Sequence, residues 1–237
     1  MGNTSFEFKQ FTIRQDKRVF KVTTDACILG GYPDIQPPTS ICDIGTGTGV
    51  LALMMAQKFP EAIIDAIEID PLSTKQAAGN INSSPWNDRI LIFNESIQQF
   101  AKKAKSKYDL IICNPPYFED HLRSGDQKKN LARHNFKLSL SELAETILEL
   151  LADQGFFYTI LPAYSFEKLS SDLQLKGFKL HDKLEIYNTP GKPLSRVIGG
   201  FCRMEMLNKD NKLIIYNNEG NYTDGYKKLL KDYYLAF

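Results

Sequence analysis

The candidate chemistry of this chain is concentrated in residues 114–117, Asn-Pro-Pro-Tyr, which directly follow the apolar run YDLIIC. A strand cannot continue its hydrogen-bond ladder through two prolines, because proline has no backbone N–H. Asn114 offers a side-chain oxygen, Pro115 a backbone carbonyl of fixed direction, and Tyr117 a flat ring for stacking. A rigid turn after a core strand would use the same residues, so the segment alone leaves both interpretations open. The candidate catalytic residues are Asn114, Pro115, Pro116 and Tyr117.

A second chemical signal is the glycine-rich segment DIGTGTG at residues 43–49, which ends a short apolar run. Its glycines fall at every second residue, and this spacing departs from the G-x-G-x-x-G pattern of pyrophosphate-binding loops. Glycine lets the chain turn sharply and approach a ligand closely, and the helix predicted to follow offers unpaired N–H groups. The predicted cofactor-binding residues of this loop are Asp43, Gly45, Thr46, Gly47 and Gly49.

A carboxylate ends the next predicted strand, AIEID at residues 66–70. In an open α/β sheet the ligand crevice lies outside the carboxyl ends of the strands. An ionised Glu68 has two acceptor oxygens and can take both hydroxyls of a ribose. We prefer Glu68 to Asp70 for this role, and we add the neighbouring Ile69 to the predicted cofactor-binding residues. A solvated carboxylate at a strand end is the alternative interpretation.

The elements that must position these residues alternate between strands and helices from residue 39 onward. This alternation predicts an α/β fold with a parallel sheet wrapped by helices on both faces. The segment SLSELAETILELLADQG predicts a helix capped by Ser139 or Ser141 and ended by Gly155. Beyond about residue 178 the segments KLHDKLEIYNT, RVIGGFCRMEML and KLIIYNN predict sheet-edge strands, the first two as an antiparallel pair. The segment DGYKKLLKDYYLAF predicts a closing helix.

The first 38 residues do not follow this alternation. The segment FEFKQFTIRQ alternates apolar and polar residues, which predicts a strand. The segment VTTDACILGGY predicts a short helix capped by Thr24 or Asp25. We expect a single domain over residues 1–237, in which residues 1–38 are an extension that covers the ligand site and residues 39–237 form the core.

Composition narrows the class of protein. With 237 residues, 43% hydrophobic and 24% charged, the chain is typical of globular proteins. The net charge of +1 gives no global signal of nucleic-acid binding, so only local patches could provide one. The four cysteines and three histidines show no metal-ligand spacing, and we expect no metal site. No apolar run approaches the roughly 18 residues of a membrane span, and we expect a cytoplasmic protein.

The glycine-rich loop resembles the first motif of S-adenosylmethionine-dependent methyltransferases, and NPPY resembles the [N/D]-P-P-[F/Y/W] motif of those that act on amino groups. Over nearly its full length the chain is similar to the bacterial tRNA1(Val) adenine-N6 methyltransferase family. This similarity extends to FEFKQFTIRQDKRVFKVTTDACILG, NINSSPW, LARHNFKLSLSEL and NYTDGYKKLLKDYYLAF. It implies a Rossmann-like fold with a seven-stranded, mostly parallel sheet and an antiparallel C-terminal edge hairpin. It also implies S-adenosylmethionine as cofactor and N6-methylation of a tRNA adenosine, number 37, next to the anticodon.

The resemblance also implies roles for residues outside the two loops. Lys21, Thr24 and Asp25 should lie against the methionine end of the cofactor. Arg133 should help to hold the RNA or the NPPY loop, and with Tyr117 it is a predicted substrate-binding residue; a surface salt bridge is the alternative for Arg133. We expect the charged loop at residues 118–136 to be mobile without substrate and ordered on RNA.

One position departs from the family pattern. Methyltransferases of this kind often have Asp after the third strand, where it holds the amino group of the cofactor's adenine, but this chain has Glu95 and Ser96 there. Glu95, Ser96 or the N–H of Ile97 could supply the contact. Asn114 is also counted among the predicted cofactor-binding residues.

Other substrates suit the same chemistry: an adenine of ribosomal RNA or DNA, or a glutamine amide of a protein. Glutamine-modifying relatives usually carry an N-terminal helical domain and DNA enzymes a target-recognition domain, and we expect neither in this chain. An RNA-binding protein on an inactive scaffold is the non-enzymatic alternative. The basic runs at residues 102–107 and 227–231 could hold RNA or simply face solvent. We expect a monomer.

Overall fold

The computed structural model describes residues 4–16, 19, 21–115 and 138–237. Its strands are β1 (Ser5–Glu7), β2 (Thr12–Arg14), β3 (Ser40–Ile44), β4 (Ile63–Glu68), β5 (Ile90–Asn94), β6 (Tyr108–Cys113), β7 (Leu151–Leu161), β8 (Lys179–Tyr187), β9 (Leu194–Cys202) and β10 (Lys209–Ile214). Its helices are α1 (Thr24–Gly31), α2 (Val50–Lys58), α3 (Pro71–Asn82), α4 (Ile97–Ala101), α5 (Leu140–Leu150), α6 (Ala163–Leu175) and α7 (Asp224–Leu230).

Strands β3 to β10 form one sheet in the order β10-β8-β9-β7-β6-β3-β4-β5. Neighbours from β5 to β7 are parallel, β9 is antiparallel to both β7 and β8, and β10 is parallel to β8. The predicted mostly parallel sheet and the antiparallel pair are therefore confirmed. The predicted number of seven strands is wrong by one, because β10 buries Leu213 against the core and joins the sheet as an eighth strand.

Helices cover both faces of this sheet, as the alternating pattern predicted. Strand β6 shows the consequence for the side chains. Leu110 and Ile112 belong to the core that includes residues of α1, α2, α3 and α7, whereas Ile111 and Cys113 belong to the core with α4, α5 and α6. A parallel strand covered on both faces has apolar residues in succession rather than in alternation, which explains the run YDLIIC.

The N-terminal segment forms a small hairpin of its own. Strands β1 and β2 pair antiparallel, so the single strand predicted for FEFKQFTIRQ is wrong: the segment contains two short strands with a turn between them. The N–H of Phe8 donates to the carbonyl of Phe11 at 2.8 Å, and their rings stack with centroids 4.4 Å apart. The turn lets both phenylalanines reach the core, where each is buried.

The side chain of Asn80 in α3 joins this hairpin to the glycine-rich loop. Its Oδ1 accepts the N–H of Arg14 at 2.9 Å, and its Nδ2 donates to the carbonyls of Arg14 at 3.1 Å and Thr48 at 2.9 Å. Gln76, one turn earlier, accepts the N–H of Asp16 at 3.1 Å. Asn80 is 2% exposed; its hydrogen bond to Thr48 is buried, and its two bonds to Arg14 are partly buried.

Replacing Asn80 by alanine should lower the free energy of unfolding by about 2 kcal/mol or more, because one buried and two partly buried backbone groups would lose their partner. Urea unfolding measures this change. The control is Asn82→Ala, an exposed asparagine in the last position of the same helix, which should change stability by less than about 0.5 kcal/mol. Equal losses in the two variants would contradict the linking role of Asn80.

Helix α1 is capped by Thr23, whose hydroxyl accepts a first-turn N–H, and not by Thr24 or Asp25 as predicted. Thr23 has extended backbone angles, while Thr24 already lies in the helix. At the other end, the hydroxyl of Tyr32 donates to Asp182, near the start of β8, at 2.5 Å. Asp25 in its first turn is ion-paired with Arg196, which pairs with Ile186 near the end of β8. The helix therefore runs antiparallel to β8, and its first turn lies toward the carboxyl edge of the sheet, where the parallel strands end.

Helix α5 ends at Leu150, and the predicted continuation to Gly155 is wrong, because β7 begins at Leu151. Residue 151 pairs with Tyr108 of β6, and the register shifts before the next pair. A Cβ at Gly155 would lie 2.8 Å from the carbonyl oxygen of Tyr108, so this close approach requires glycine. Strand pairing across the sheet outweighs the local helical pattern here. The predicted cap at Ser139 is confirmed.

Candidate active site

The two predicted site loops meet at the carboxyl ends of β3 and β6. Ile44 pairs with Cys113, so Gly45 and Asn114 are the first residues beyond two neighbouring strand ends. Neighbouring strands lie about 4.8 Å apart. Asn114 is half-buried and Pro115 is buried. The glycine-rich loop and the Asn-Pro corner therefore lie at the same edge of the sheet, as the sequence predicted.

The glycine-rich loop presents bare backbone at this edge. Gly45, Gly47 and Gly49 have φ angles of +71°, +57° and +84°, which side chains rarely adopt. The N–H groups of Gly45 and Thr46 donate to the carbonyl of Ile67 at 2.9 and 3.0 Å. Within the described part of the chain, a Cβ at Gly45 would meet no atom within 4 Å, and one at Gly47 only the Gly45 carbonyl at 3.9 Å. As far as the described residues go, the space above these two glycines is open to a ligand.

Asp43 lies fully buried beneath this loop. Its Oδ2 accepts the Thr46 hydroxyl at 2.5 Å and the Ala52 N–H at 3.1 Å, while its Oδ1 has no hydrogen-bond partner among the described residues. Burial raises the pKa of Asp43 to about 7, the two hydrogen bonds lower it, and the charge of Glu68 raises it. A buried carboxyl with an unsatisfied oxygen under the loop suits a ligand that carries a positive charge or N–H donors.

Asp43 should make the stability of the protein depend on pH. Its pKa is about 7 in the folded protein against an ordinary value of 3.8, so the folded state holds a proton that the unfolded state has released. Stability should therefore fall as pH rises from about 4 to about 7, and from pH 5 to pH 8 the loss should be about 3 kcal/mol.

The variant Asp43→Asn stays uncharged and should lack this component of the pH dependence. Urea unfolding of the wild type and the variant at pH 5 and pH 8 measures the difference. Asp153→Asn replaces a carboxylate with an 89% exposed side chain and should keep the wild-type dependence. A wild-type dependence retained in Asp43→Asn would rule out a protonated Asp43.

Glu68 and Asp70 have different partners at the end of β4. The Oε2 of Glu68 accepts the N–H of Gly47 at 2.9 Å, and its Oε1 accepts the N–H of Asp70 at 2.9 Å. The carboxylate of Asp70 instead caps α3 by accepting the N–H of Ser73 at 2.8 Å. Burial raises the pKa of Glu68, while the N–H donors lower it. Glu68 is thus tied to the glycine-rich loop, whereas Asp70 is occupied by its helix; the half-buried Ile69 lies between them.

The predicted adenine contacts lie after β5. The hydroxyl of Ser96 accepts the N–H of Gln99 at 3.2 Å and so caps α4. The carboxylate of Glu95 forms an ion pair with Lys103 at 2.7 Å. Ile97 is the first residue of α4, and an N–H at this position has no partner within its own helix.

An ion pair ties the start of α1 to β9. The Nε of Arg196 donates to the Oδ2 of Asp25 at 3.0 Å. The residue after Arg196 pairs with Leu161, at the end of β7, so this ion pair lies at the carboxyl edge of the sheet. Lys21 and Thr24 are exposed just before and at the start of the helix.

Several predicted residues lie outside the described part of the chain: Pro116, Tyr117, Arg133 and the loop at residues 118–136. The basic run at residues 102–107 directly precedes β6 and therefore lies at the amino edge of the sheet, opposite the two loops. In the second run, Lys227 and Lys228 are exposed in α7.

The described ranges also bear on metal binding and on membrane insertion. No group of three histidine, cysteine, aspartate or glutamate side chains there could hold a metal ion. No helix there has both the length and the apolar character needed to cross a bilayer.

Known proteins resemble this chain in sequence and in fold. Residues 33–146 match the Methyltransferase small domain family. The tRNA1(Val) (adenine(37)-N6)-methyltransferase of Dyadobacter fermentans is 39% identical over 239 residues, which cover 99% of each chain. The protein of the same name from Bacteroides fragilis is 37% identical over 236 residues, again 99% of each chain. This chain belongs to the tRNA1(Val) (adenine(37)-N6)-methyltransferase family.

A solved structure also resembles this chain in fold. It is a predicted O-methyltransferase from Agrobacterium tumefaciens, with a TM-score of 0.69 and 15% sequence identity. The match covers 88% of this chain and 96% of that chain.

In this methyltransferase, two side chains that were not predicted from the sequence, Asn94 and Arg196, support the candidate site. Asn94, the last residue of β5, donates from Nδ2 to the carbonyls of Glu68 at 3.0 Å and Ile69 at 3.2 Å. An amide at a strand end beside the carboxylate-bearing strand is a signal that could have revealed it. Arg196 had no such local signal, because its partner Asp25 lies 171 residues away in sequence.

Proposed function

We propose that this protein transfers a methyl group from S-adenosylmethionine to the N6 amino group of an adenine in tRNA, namely adenosine 37 of tRNA1(Val), the nucleoside in the names of its relatives. One observation carries the proposal: Asn114 and the glycine-rich loop follow neighbouring paired strands. This arrangement sets acceptors for an amino group beside a loop that a cofactor can approach. Because the substrate is tRNA, we propose that the protein acts in the cytoplasm.

The residues at the carboxyl edge fit the cofactor. The open space over Gly45 and Gly47 suits its methionine and ribose parts, and the lone pairs that Glu68 keeps beyond its two N–H bonds suit the ribose hydroxyls. The Oδ1 of buried Asp43, which no described residue satisfies, suits the amino group of the methionine part. When bound, the cofactor supplies an electrophilic methyl group on a sulfonium.

The start of α1 and the end of β5 would complete this site. We assign Lys21, Thr24 and Asp25 to the methionine end, supported by the position of Asp25 at the carboxyl edge beside Arg196. For the cofactor's adenine, we assign the amino group to Glu95 and a ring nitrogen to the N–H of the residue after Ser96. Ser96 itself is the weaker candidate, because its hydroxyl already caps α4.

The target amine needs activation, because the lone pair of an aromatic amine is delocalised into its ring. We assign two acceptors to its N–H bonds: the side-chain oxygen of Asn114 and the carbonyl oxygen of Pro115. They draw the nitrogen toward a tetrahedral geometry and localise the lone pair toward the methyl group. The fixed φ of proline keeps the acceptors in place before substrate binds.

Methyl transfer then forms one bond and breaks one. The amine nitrogen gives its lone pair to the new N–C bond as the sulfur–carbon bond breaks, and the excess N–H proton leaves to water. This sequence requires no basic side chain, and in-line positioning of the two reactants accounts for much of the rate. We assign Tyr117 to stacking on the target base and Arg133 to holding the RNA or the NPPY loop.

The test is methyl transfer from labelled S-adenosylmethionine to an unmodified tRNA1(Val) transcript, followed by nucleoside analysis. N6-methyladenosine should appear in the digest. A transcript with guanosine at position 37 is the matched control and should take up no label if that position is the target. Equal labelling of both transcripts would refute the assigned position. No label in either, with cofactor binding intact, would refute tRNA as substrate.

A further inference from the structure

Tyr164 is an exposed aromatic residue at the edge that carries the candidate active site. It is the second residue of α6, which begins just after β7 ends at Leu161. Its exposure is 79%, and none of the aromatic pairs formed within the described residues includes it. Packing against the described residues therefore does not account for a large ring at this position.

The strand register places the start of α6, which carries Tyr164, at the same edge of the sheet as the Asn-Pro corner. Cys113 of β6 pairs with Thr159 of β7, and both strands run in the same direction. The chain beyond β6, which starts with Asn114, and the chain beyond β7, which leads to Tyr164, therefore leave the sheet side by side. Because neighbouring strands are about 5 Å apart, a nucleotide chain with one base at Asn114 can reach the ring of Tyr164 with an adjacent base.

Positive charge lies on the next connection along the same edge. Strand β8 is parallel to β7, so the connection between β8 and β9, residues 188–193, leaves the sheet at the carboxyl edge. Lys192 in this connection is exposed, whereas Arg196 in β9, at the same edge, is ion-paired with Asp25. A flat ring and an exposed lysine at one edge of the sheet suit single-stranded RNA, because bases stack on aromatic rings while phosphates are attracted to lysine.

We propose that Tyr164 stacks on an RNA base adjacent to the methylated adenosine, and that Lys192 attracts the phosphate backbone beside it. This inference rests on the proposed function, since it takes the RNA of that reaction as the occupant. Unstacked bases of an anticodon loop offer free faces for such a contact. Stacking on any base face is tolerant of sequence, so Tyr164 would strengthen RNA binding without selecting a particular neighbour.

The test compares Tyr164→Ala, Tyr164→Phe and Leu175→Ala in methylation of an anticodon stem-loop RNA. Tyr164→Ala should raise the KM for RNA about 5- to 100-fold and leave kcat and the Kd for S-adenosylmethionine within twofold. Tyr164→Phe keeps the ring and should behave as wild type. Leu175 is 87% exposed near the far end of the same helix, so its alanine variant is the matched surface control and should change nothing. An unchanged KM in Tyr164→Ala, or an equal rise in Leu175→Ala, would overturn the proposal.

A second measurement does not depend on turnover. Fluorescence anisotropy gives the Kd of a labelled stem-loop, either intact or with an abasic site on the 5′ or the 3′ side of the target adenosine. One abasic site should weaken binding to the wild type but not further weaken binding to Tyr164→Ala, since the two changes remove the same contact. Additive losses at both sites would overturn the proposal. If the wild type binds this RNA without methylating it, the proposed function fails, and the anisotropy result alone decides the role of Tyr164.

Discussion

Replacing Asn114 by alanine should lower kcat for methylation of tRNA by about 10²- to 10³-fold, the loss typical of removing one preorganised hydrogen-bonding group from an active site. The physical reason is the loss of the side-chain acceptor that localises the lone pair of the amine. Single-turnover methylation with labelled cofactor measures the rate of the chemical step. The Kd for S-adenosylmethionine, measured by calorimetry, should change by less than about threefold, because we assign cofactor binding mainly to the loop after β3 and to Glu68.

The variant Asn114→Asp is the matched control for this prediction. It keeps an acceptor oxygen at the same position, and it should retain activity within about tenfold of the wild type. Thermal unfolding of both variants shows whether the corner remains folded. A rate for Asn114→Ala above half that of the wild type would remove Asn114 from the mechanism. Equal losses in the alanine and aspartate variants would assign it a structural role instead.

The second large effect is expected at Glu68. Its two oxygens accept the N–H groups of Gly47 and Asp70, so Glu68→Gln would put an NH2 group against one of these donors. We expect the Kd for S-adenosylmethionine to rise at least 100-fold, because the ribose hydroxyls lose a charged acceptor and the glycine-rich loop loses its tie to β4. Calorimetric titration measures the change.

Asp70→Asn separates the two carboxylates of this strand end. Asparagine also caps helices well, so this variant should keep α3 intact and bind the cofactor within about threefold of the wild type. Should Asp70→Asn lose cofactor binding while Glu68→Gln retains it, the ribose role belongs to Asp70. Urea unfolding of Glu68→Gln should separate loss of the ligand contact from loss of the fold.

The main architecture could be predicted from the sequence because it depends on local patterns. Buried parallel strands read as short apolar runs such as YDLIIC, and the helices between them carry their own caps, as Ser139 does for α5. The Gly-rich loop and the Asn-Pro corner directly follow such runs. Because parallel strands end at a common edge, their proximity followed from the fold class, and the pairing of Ile44 with Cys113 confirms it.

Features that depend on pairing between distant segments could not be predicted this way. The helix predicted to run to Gly155 ends at Leu150, because the residues after it pair with β6. The contacts of Asn80 with Arg14 join residues 66 apart in sequence, and they dock the N-terminal hairpin onto α3. Neither the alternation of apolar residues nor the composition of these segments carries information about such partners.

The sequence by itself determined the order of the elements, the edge at which the chemistry lies, and the residue types at each strand end. Only the tertiary structure decided that Asp70 caps a helix while Glu68 is bonded to the glycine-rich loop, and that Arg196 meets Asp25 beside the end of β7. The reason is physical. Local propensity depends on a few neighbouring residues, whereas the partner of a polar side chain depends on which distant backbone and side-chain groups folding buries beside it.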